Sequence, residues 1–138
     1  MNRRFLLGLC LAVLAPACLA GEWFLLSGDG DGIGPQAADT AELDISTVGR
    51  KADTRSFRFR VNLAETRSDE AGHPYRSYLS LITVVCSTRS VFHDEQTRYR
   101  DAGWTGPART EVFPQPRPMA FGGLDPDPRA RLLAAACR

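Results

Sequence analysis

The chain has 138 residues, with 17 Lys and Arg against 16 Asp and Glu, four Cys and 43% apolar residues. That length accommodates one domain and leaves little room for two, and the apolar content is that of a globular chain rather than a disordered one. A formal charge of +1 gives no electrostatic case for nucleic acid, which is bound through a strongly basic face.

The first twenty residues have the three-part layout of a secretory signal. Arg3 and Arg4 make a basic start, residues 5–14 are apolar apart from Gly8 and Cys10, and Pro16, Ala17 and Ala20 supply a break and small residues. The run is shorter than the roughly 20 apolar residues of a spanning helix, and no later segment is longer. The mature chain is therefore expected to carry no transmembrane segment. Two processing routes compete. A signal peptidase cutting after Ala20 would read Cys18 and Ala20 as its small residues. A lipoprotein peptidase would cut before Cys18 and leave that cysteine lipidated, although Ala15 stands where a larger aliphatic residue is wanted.

Cleavage after Ala20 divides the chain into a signal at 1–20 and one domain at 21–138; removing twenty of 138 residues leaves 118. It also removes Arg3 and Arg4, so the charge falls from +1 to −1. Only Cys86 and Cys137 remain, and two cysteines in an exported chain are expected to form a disulfide. Sixteen of the basic residues are Arg and one is Lys51. Arg favours bidentate pairing with carboxylates and phosphates, but these are spread along the chain and read as a compositional bias.

In chain order, residues 22–27 form a short apolar strand containing Trp23. Residues 28–35 (GDGDGIGP) form a loop, because Gly and Asp favour turn conformations. Residues 38–47 alternate, with Ala41, Leu43 and Ile45 on one face and Glu42, Asp44 and Ser46 on the other, the pattern of a half-buried strand. A turn centred on Gly49 follows at 48–53. Residues 56–64 are the clearest strand, with Phe57, Phe59, Val61 and Leu63 on one face and Arg58, Arg60 and Asn62 on the other. Residues 65–74 read as a polar loop.

Residues 75–87 are apolar on both faces after Tyr78, which predicts a central strand covered on both sides, with Cys86 near its end. Residues 89–93 and 96–100 read as two strands of a hairpin turning at Asp94 and Glu95. Residues 101–123 carry many Gly and Pro and read as mostly irregular, with a short strand at 110–113 and an extended polyproline stretch at 114–118. The tail reads as a helix, with Asp127 as cap and Pro128 in the first turn. Leu132, Leu133, Ala136 and Cys137 fall on one stripe. The expected fold is α+β: an antiparallel sheet of about five strands whose face is covered by the C-terminal helix, with Cys137 tied to Cys86.

No catalytic, cofactor or metal constellation emerges. Counting an EF-hand loop from Asp29 places Ile33 and Thr40 where oxygen ligands are needed. Pro35 stands where the dinucleotide fingerprint requires its last Gly. His73 and His93 lie in polar loop or turn sequence, with no ligand spacing to a second group. No Ser sits in a nucleophile elbow, and no C-x-x-C occurs. The face carrying Arg58 and Arg60 reads as a solvated polar face, with an acidic partner as the alternative. Trp23 and Trp104 read as core or rim anchors.

Taken together, Trp23 at the start, Leu43, Asp44 and Ile45 followed by Gly49 and Arg50, Tyr78 and Ser80 leading to Cys86 and Arg89, and Cys137 in a terminal helix resemble the surface-adhesin protein E-like family of bacterial exported proteins. The likeness spans nearly all of the mature chain. It implies an antiparallel sheet with a C-terminal helix tethered by a disulfide. Val85 departs from the acidic residue expected before Cys86, and Pro114, Pro116 and Pro118 depart from the strand expected before the helix. The founding adhesin binds host extracellular proteins. The resemblance thus implies an exported, non-enzymatic envelope or surface module for a protein partner, either a host matrix protein or an envelope protein. A periplasmic accessory or envelope-structural role and a small secreted hydrolase are the alternatives.

Overall fold

The computed structural model describes residues 21–28 and 38–138. The signal segment with Cys10 and Cys18 lies outside the described residues, as do residues 29–35 of the glycine–aspartate loop. Six strands, β1 (Trp23–Ser27), β2 (Thr40–Lys51), β3 (Thr54–Ser68), β4 (Pro74–Val85), β5 (Ser90–Tyr99) and β6 (Ala108–Pro118), form one sheet in the order of the chain. Every neighbouring pair is antiparallel. A single 3-10 turn at Phe121–Gly123 leads to the helix α1 (Arg129–Ala136).

The period-two patterns decide which face is covered. Register places Leu43 beside Phe59, Ala41 beside Val61 and Phe57 beside Ile82. These side chains are buried, and Leu132, Leu133 and Ala136 of α1 complete the same core. Met119, Phe121 and Leu124 close it between β6 and the helix. Cys86 and Cys137 are joined by a disulfide, with Cα atoms 5.6 Å apart. The helix begins one residue later than the capping pattern predicts: Pro128 is the N-cap, and Asp127 Oδ1 accepts the Arg129 N–H at 2.8 Å.

Asp39, just before β2, ties the two ends of the fold together. Its buried carboxylate accepts the Ala64 N–H at 2.9 Å, Arg67 Nη2 at 2.7 Å and the Asp125 N–H at 3.2 Å. Its own N–H donates to the Asp125 carbonyl. A buried carboxylate is tolerated only when its oxygens are saturated in this way.

The expected antiparallel sheet with a disulfide-tethered C-terminal helix is what forms, its strands numbering six among the described residues where about five are expected. Several element-level expectations are corrected. Residues 90–99 are one strand rather than part of a hairpin: the β4–β5 register slips at Leu81 and Ile82, so Asp94 is the extra residue, and its carboxylate accepts Thr83 Oγ1 at 2.6 Å. A bulge absorbs the polar Asp–Glu pair without a turn. The proline-rich segment is the edge strand β6, the one place where a sheet tolerates repeated prolines.

In β2 Asp44 pairs with Arg58 in the same register as Leu43 with Phe59, so it stays on the face of Glu42 and is buried there, whereas beyond it the register with β3 shifts and Ile45 is 41% exposed rather than covered. The β2–β3 turn sits at Ala52 and Asp53 rather than at Gly49, and Ala52 takes a left-handed φ of 50°. The strand β3 runs on to Ser68, through what reads as loop. The strand β4 is covered on one face only: Ser80, Ile82 and Val84 are buried while Leu81 is 43% exposed.

The disulfide closes a loop whose ends are 51 residues apart. Replacing Cys86 and Cys137 together by Ser is expected to lower stability by about 4 kcal/mol on the chain-entropy account. Urea denaturation of the oxidised protein and the double variant measures this; a difference under about 1 kcal/mol would contradict the tethering role.

Candidate binding surface

Two surfaces gather chemistry-bearing side chains. The first is the sheet face opposite the helix. Here Glu42 lies across from Arg60, and the Arg60 Nε donates to the Glu42 carboxylate at 2.6 Å. The guanidinium is held between two indoles, 4.0 Å from the Trp23 ring centre and 4.1 Å from that of Trp104. Trp104 comes from the β5–β6 loop, which folds back over the sheet. The buried Asn62 Oδ1 accepts the Gly103 N–H at 2.7 Å, Ser77 Oγ accepts the Trp104 N–H at 3.0 Å, and the indole N–H donates to the Tyr78 carbonyl. Trp104 adopts a left-handed φ of 58°, a conformation these bonds impose on a non-glycine residue. Arg60 is therefore a packed cation between aromatic faces, not part of a solvated polar face; Arg58, two residues earlier, is exposed as expected.

The second surface is a groove between the β3–β4 hairpin and strands β5 and β6. A cleft of about 420 Å3 is lined by His73, Tyr75, Arg98, Arg100 and Arg109. It adjoins a second of about 270 Å3 that carries Arg67, His93 and Arg117, and the two share Asp69, Tyr75 and Arg98. Some of these cations are neutralised: Arg98 pairs with Glu111 at 3.0 Å, Arg117 with Glu70 at 2.6 Å and Arg67 with Asp39 at 2.7 Å. Arg100 and Arg109 have no carboxylate partner among the described residues. Arg100 follows the last residue of β5 and Arg109 is the second residue of β6, so the hairpin brings together charges that are separated in sequence.

The two histidines have different surroundings. His73 Nδ1 sits 3.3 Å from Asp69, whose carboxyl is held below the usual carboxylate range, chiefly because it accepts the His73 backbone N–H. His93 is in β5, not in a turn, and is half-buried. Its pKa is pushed down to about 4, first by burial and then by the charges of Arg98 and Arg117, with Asp94 opposing. Neither ring is hydrogen-bonded to a serine or cysteine among the described residues. No group of three or more His, Cys, Asp or Glu side chains is placed to hold a metal ion among those residues.

The chemistry-bearing residues that simple pattern reading passes over are Asp39, Glu42, Arg98, Arg100 and Arg109. Glu42 and Arg60 become a visible pair once the β2–β3 register is set. The arginine groove carries no local signal, since it depends on a hairpin that reads as irregular chain.

The described residues form an antiparallel six-stranded meander with one disulfide-tethered C-terminal helix, a cation clamped by two indoles on the outer face and a groove lined by arginines. The chain belongs to the surface-adhesin protein E family, whose profile matches residues 23–138. No curated protein and no solved structure gave a match.

Two measurements check this description. Arg60→Ala removes an ion pair and two aromatic contacts, and is expected to cost about 2 kcal/mol with a red shift of Trp emission. A loss under about 0.5 kcal/mol in denaturant titration would show the stack to be ornamental. His93 supplies a pH signature. Its folded value of about 4 lies below the ordinary value of 6.5, so the unfolded chain binds the extra proton between these limits. Stability should therefore fall by about 2–3 kcal/mol as pH drops from 7 to 4. In His93→Gln that slope should flatten, whereas carboxylates such as Asp69 act only below about pH 4.

Proposed function

We propose that this protein is an exported, non-enzymatic envelope or surface module that binds a macromolecule in the manner of an adhesin. In this reading residues 1–20 are the export signal, cleaved after Ala20, and residues 21–138 are the binding domain. Membership of the surface-adhesin protein E family supports export, a surface location and a binding rather than catalytic role. No helix among the described residues is long and apolar enough to cross a membrane.

The observation that carries the contact surface is the groove beside β5 and β6, where Arg100 and Arg109 face solvent without carboxylate partners. Unpaired guanidinium groups in a concave site favour carboxylate-bearing partners, which they can meet in bidentate fashion. Tyr75 and Pro107 add flat apolar wall, so a protein segment rich in acidic residues fits the groove better than an isolated anion. Steering by these charges raises the association rate and makes it salt-dependent.

Solid-phase binding to host matrix proteins, run beside pull-down from bacterial envelope extracts, tests the proposal. Saturable binding is expected, weakening about tenfold when Arg100 and Arg109 are both replaced by Ser and also when salt is raised to 0.5 M. Saturable binding indifferent to both changes would remove the groove from the proposal. No saturable binding in either assay would overturn the adhesin reading itself.

A further inference from the structure

The start of β1 holds a carboxylate against the point where the signal would be cut. Gly21 lies two residues ahead of the strand, and its surroundings leave no room for a side chain. A Cβ there would stand 2.6 Å from Asp44 Oδ2, 3.0 Å from Asp44 Cγ and 3.2 Å from Trp23 Nε1. Glycine is therefore required by close approach of the backbone to a charged group.

The chain is held in place at this point. Trp23 is paired with Asp44 in the β1–β2 register, the Ile45 N–H donates to the Glu22 carbonyl at 2.9 Å, and the Glu22 N–H donates to Ser46 Oγ at 3.4 Å. Asp44 is 1% exposed. Its Oδ1 accepts the Ser46 N–H at 2.9 Å and the Ser46 hydroxyl at 2.6 Å, while Oδ2 is the atom turned towards Gly21. The Gly21 nitrogen is two bonds from the Cβ position and so lies within about 5 Å of Oδ2.

Before cleavage that nitrogen is an uncharged amide. Hydrolysis of the Ala20–Gly21 bond adds water across it, leaving the carboxylate on Ala20 and an amine on Gly21. The amine is mostly protonated at neutral pH, because its ordinary pKa is about 7.7–8.0. Opposite charges at this separation each favour the ionised form of the other, and a buried carboxylate needs compensation more than an exposed one. We infer that the α-ammonium of Gly21 pairs with the buried Asp44 carboxylate, so that removal of the signal completes the anchor of β1 and the seating of Trp23 over Arg60. This rests on the cleavage after Ala20 proposed above. The other charges at this end of the sheet are exposed Glu22, exposed Arg58 across from Asp44, and Arg60, which is held by Glu42. A chain lipidated at Cys18 would keep residues 18–20 ahead of Gly21 and place no charge there.

The composition supplies a selective test. Lys51 is the one lysine, and it is exposed, so Lys51→Arg leaves the α-amine as the single amine of the mature chain open to acylation. The full chain with this substitution is exported, its mature form is weighed by mass spectrometry, and acetylation by an activated ester is followed at neutral pH with and without urea. The folded amine should react about tenfold more slowly than the unfolded one, the factor set by a pKa raised by about one unit. Asp44→Asn keeps the shape and removes the charge, and should restore most of the lost rate. A second variant, with Gln-Thr inserted after Ala20, carries the amine past the reach of Asp44 and should react at the unfolded rate, whether or not Asp44→Asn folds. A chain that begins at Gly21 and reacts as fast folded as unfolded overturns the pair and leaves the cleavage site standing. A slow rate that either variant leaves unchanged does the same. A mature chain that begins at a lipidated Cys18 overturns the cleavage site and the pair together.

Discussion

The fold depends on holding one short helix against one face of a six-stranded sheet. Eight residues are too few for a helix to persist alone in water, and its buried side chains are only two leucines and an alanine. Without it, Leu43, Phe57, Phe59, Ile82 and Val84 would meet solvent along the sheet. The chain therefore anchors α1 at both ends. Asp39 fixes the approach through Asp125, Asp127 accepts the Arg129 N–H beside the Pro128 N-cap, and Cys137, just past the helix, is bonded to Cys86, just past β4. Polar clamp and covalent tether act on opposite ends of the same element, so the helix has neither a free end to fray nor a pivot to swing about.

Two bulges then decide what the faces carry. A one-residue irregularity turns every following side chain to the other side of a sheet. In β5 the one extra residue is Asp94, and His93 lines the groove beside Arg98 and Arg117; in β2 a larger slip, three residues between Asp44 and Gly49, leaves Ile45 exposed. The face without a helix is covered differently. Its central cation, Arg60, is packed between Trp23 and Trp104 and paired with Glu42, and a loop pinned by Asn62 and Ser77 brings Trp104 into place. One face is thus sealed by hydrocarbon and a disulfide, the other by aromatic rings around a charge.

Much of this was legible in the residues. Alternation over residues 56–64 identified β3 and its buried face, since a strand with one wet side must alternate. The Leu132, Leu133 and Ala136 stripe identified the helix and its buried side. What escaped pattern reading has a common cause. Prolines in β6 look like strand breakers, although on an edge their missing N–H groups cost nothing. Asp94 and Glu95 look like a turn, although a bulge accommodates them within the ladder. Both judgements depend on which neighbour a strand has, and local sequence does not carry that.

By itself the sequence determined the fold class, the buried faces of β3 and the helix, and the two cysteines available for pairing, because each follows from local periodicity or from the count of groups present. Only the tertiary structure decided the sixth strand, the clamp on Arg60, the burial of Asp39 and the arginine groove. These arise from register between segments far apart in the chain, and a shift of one residue in that register would place every one of those side chains on the other face.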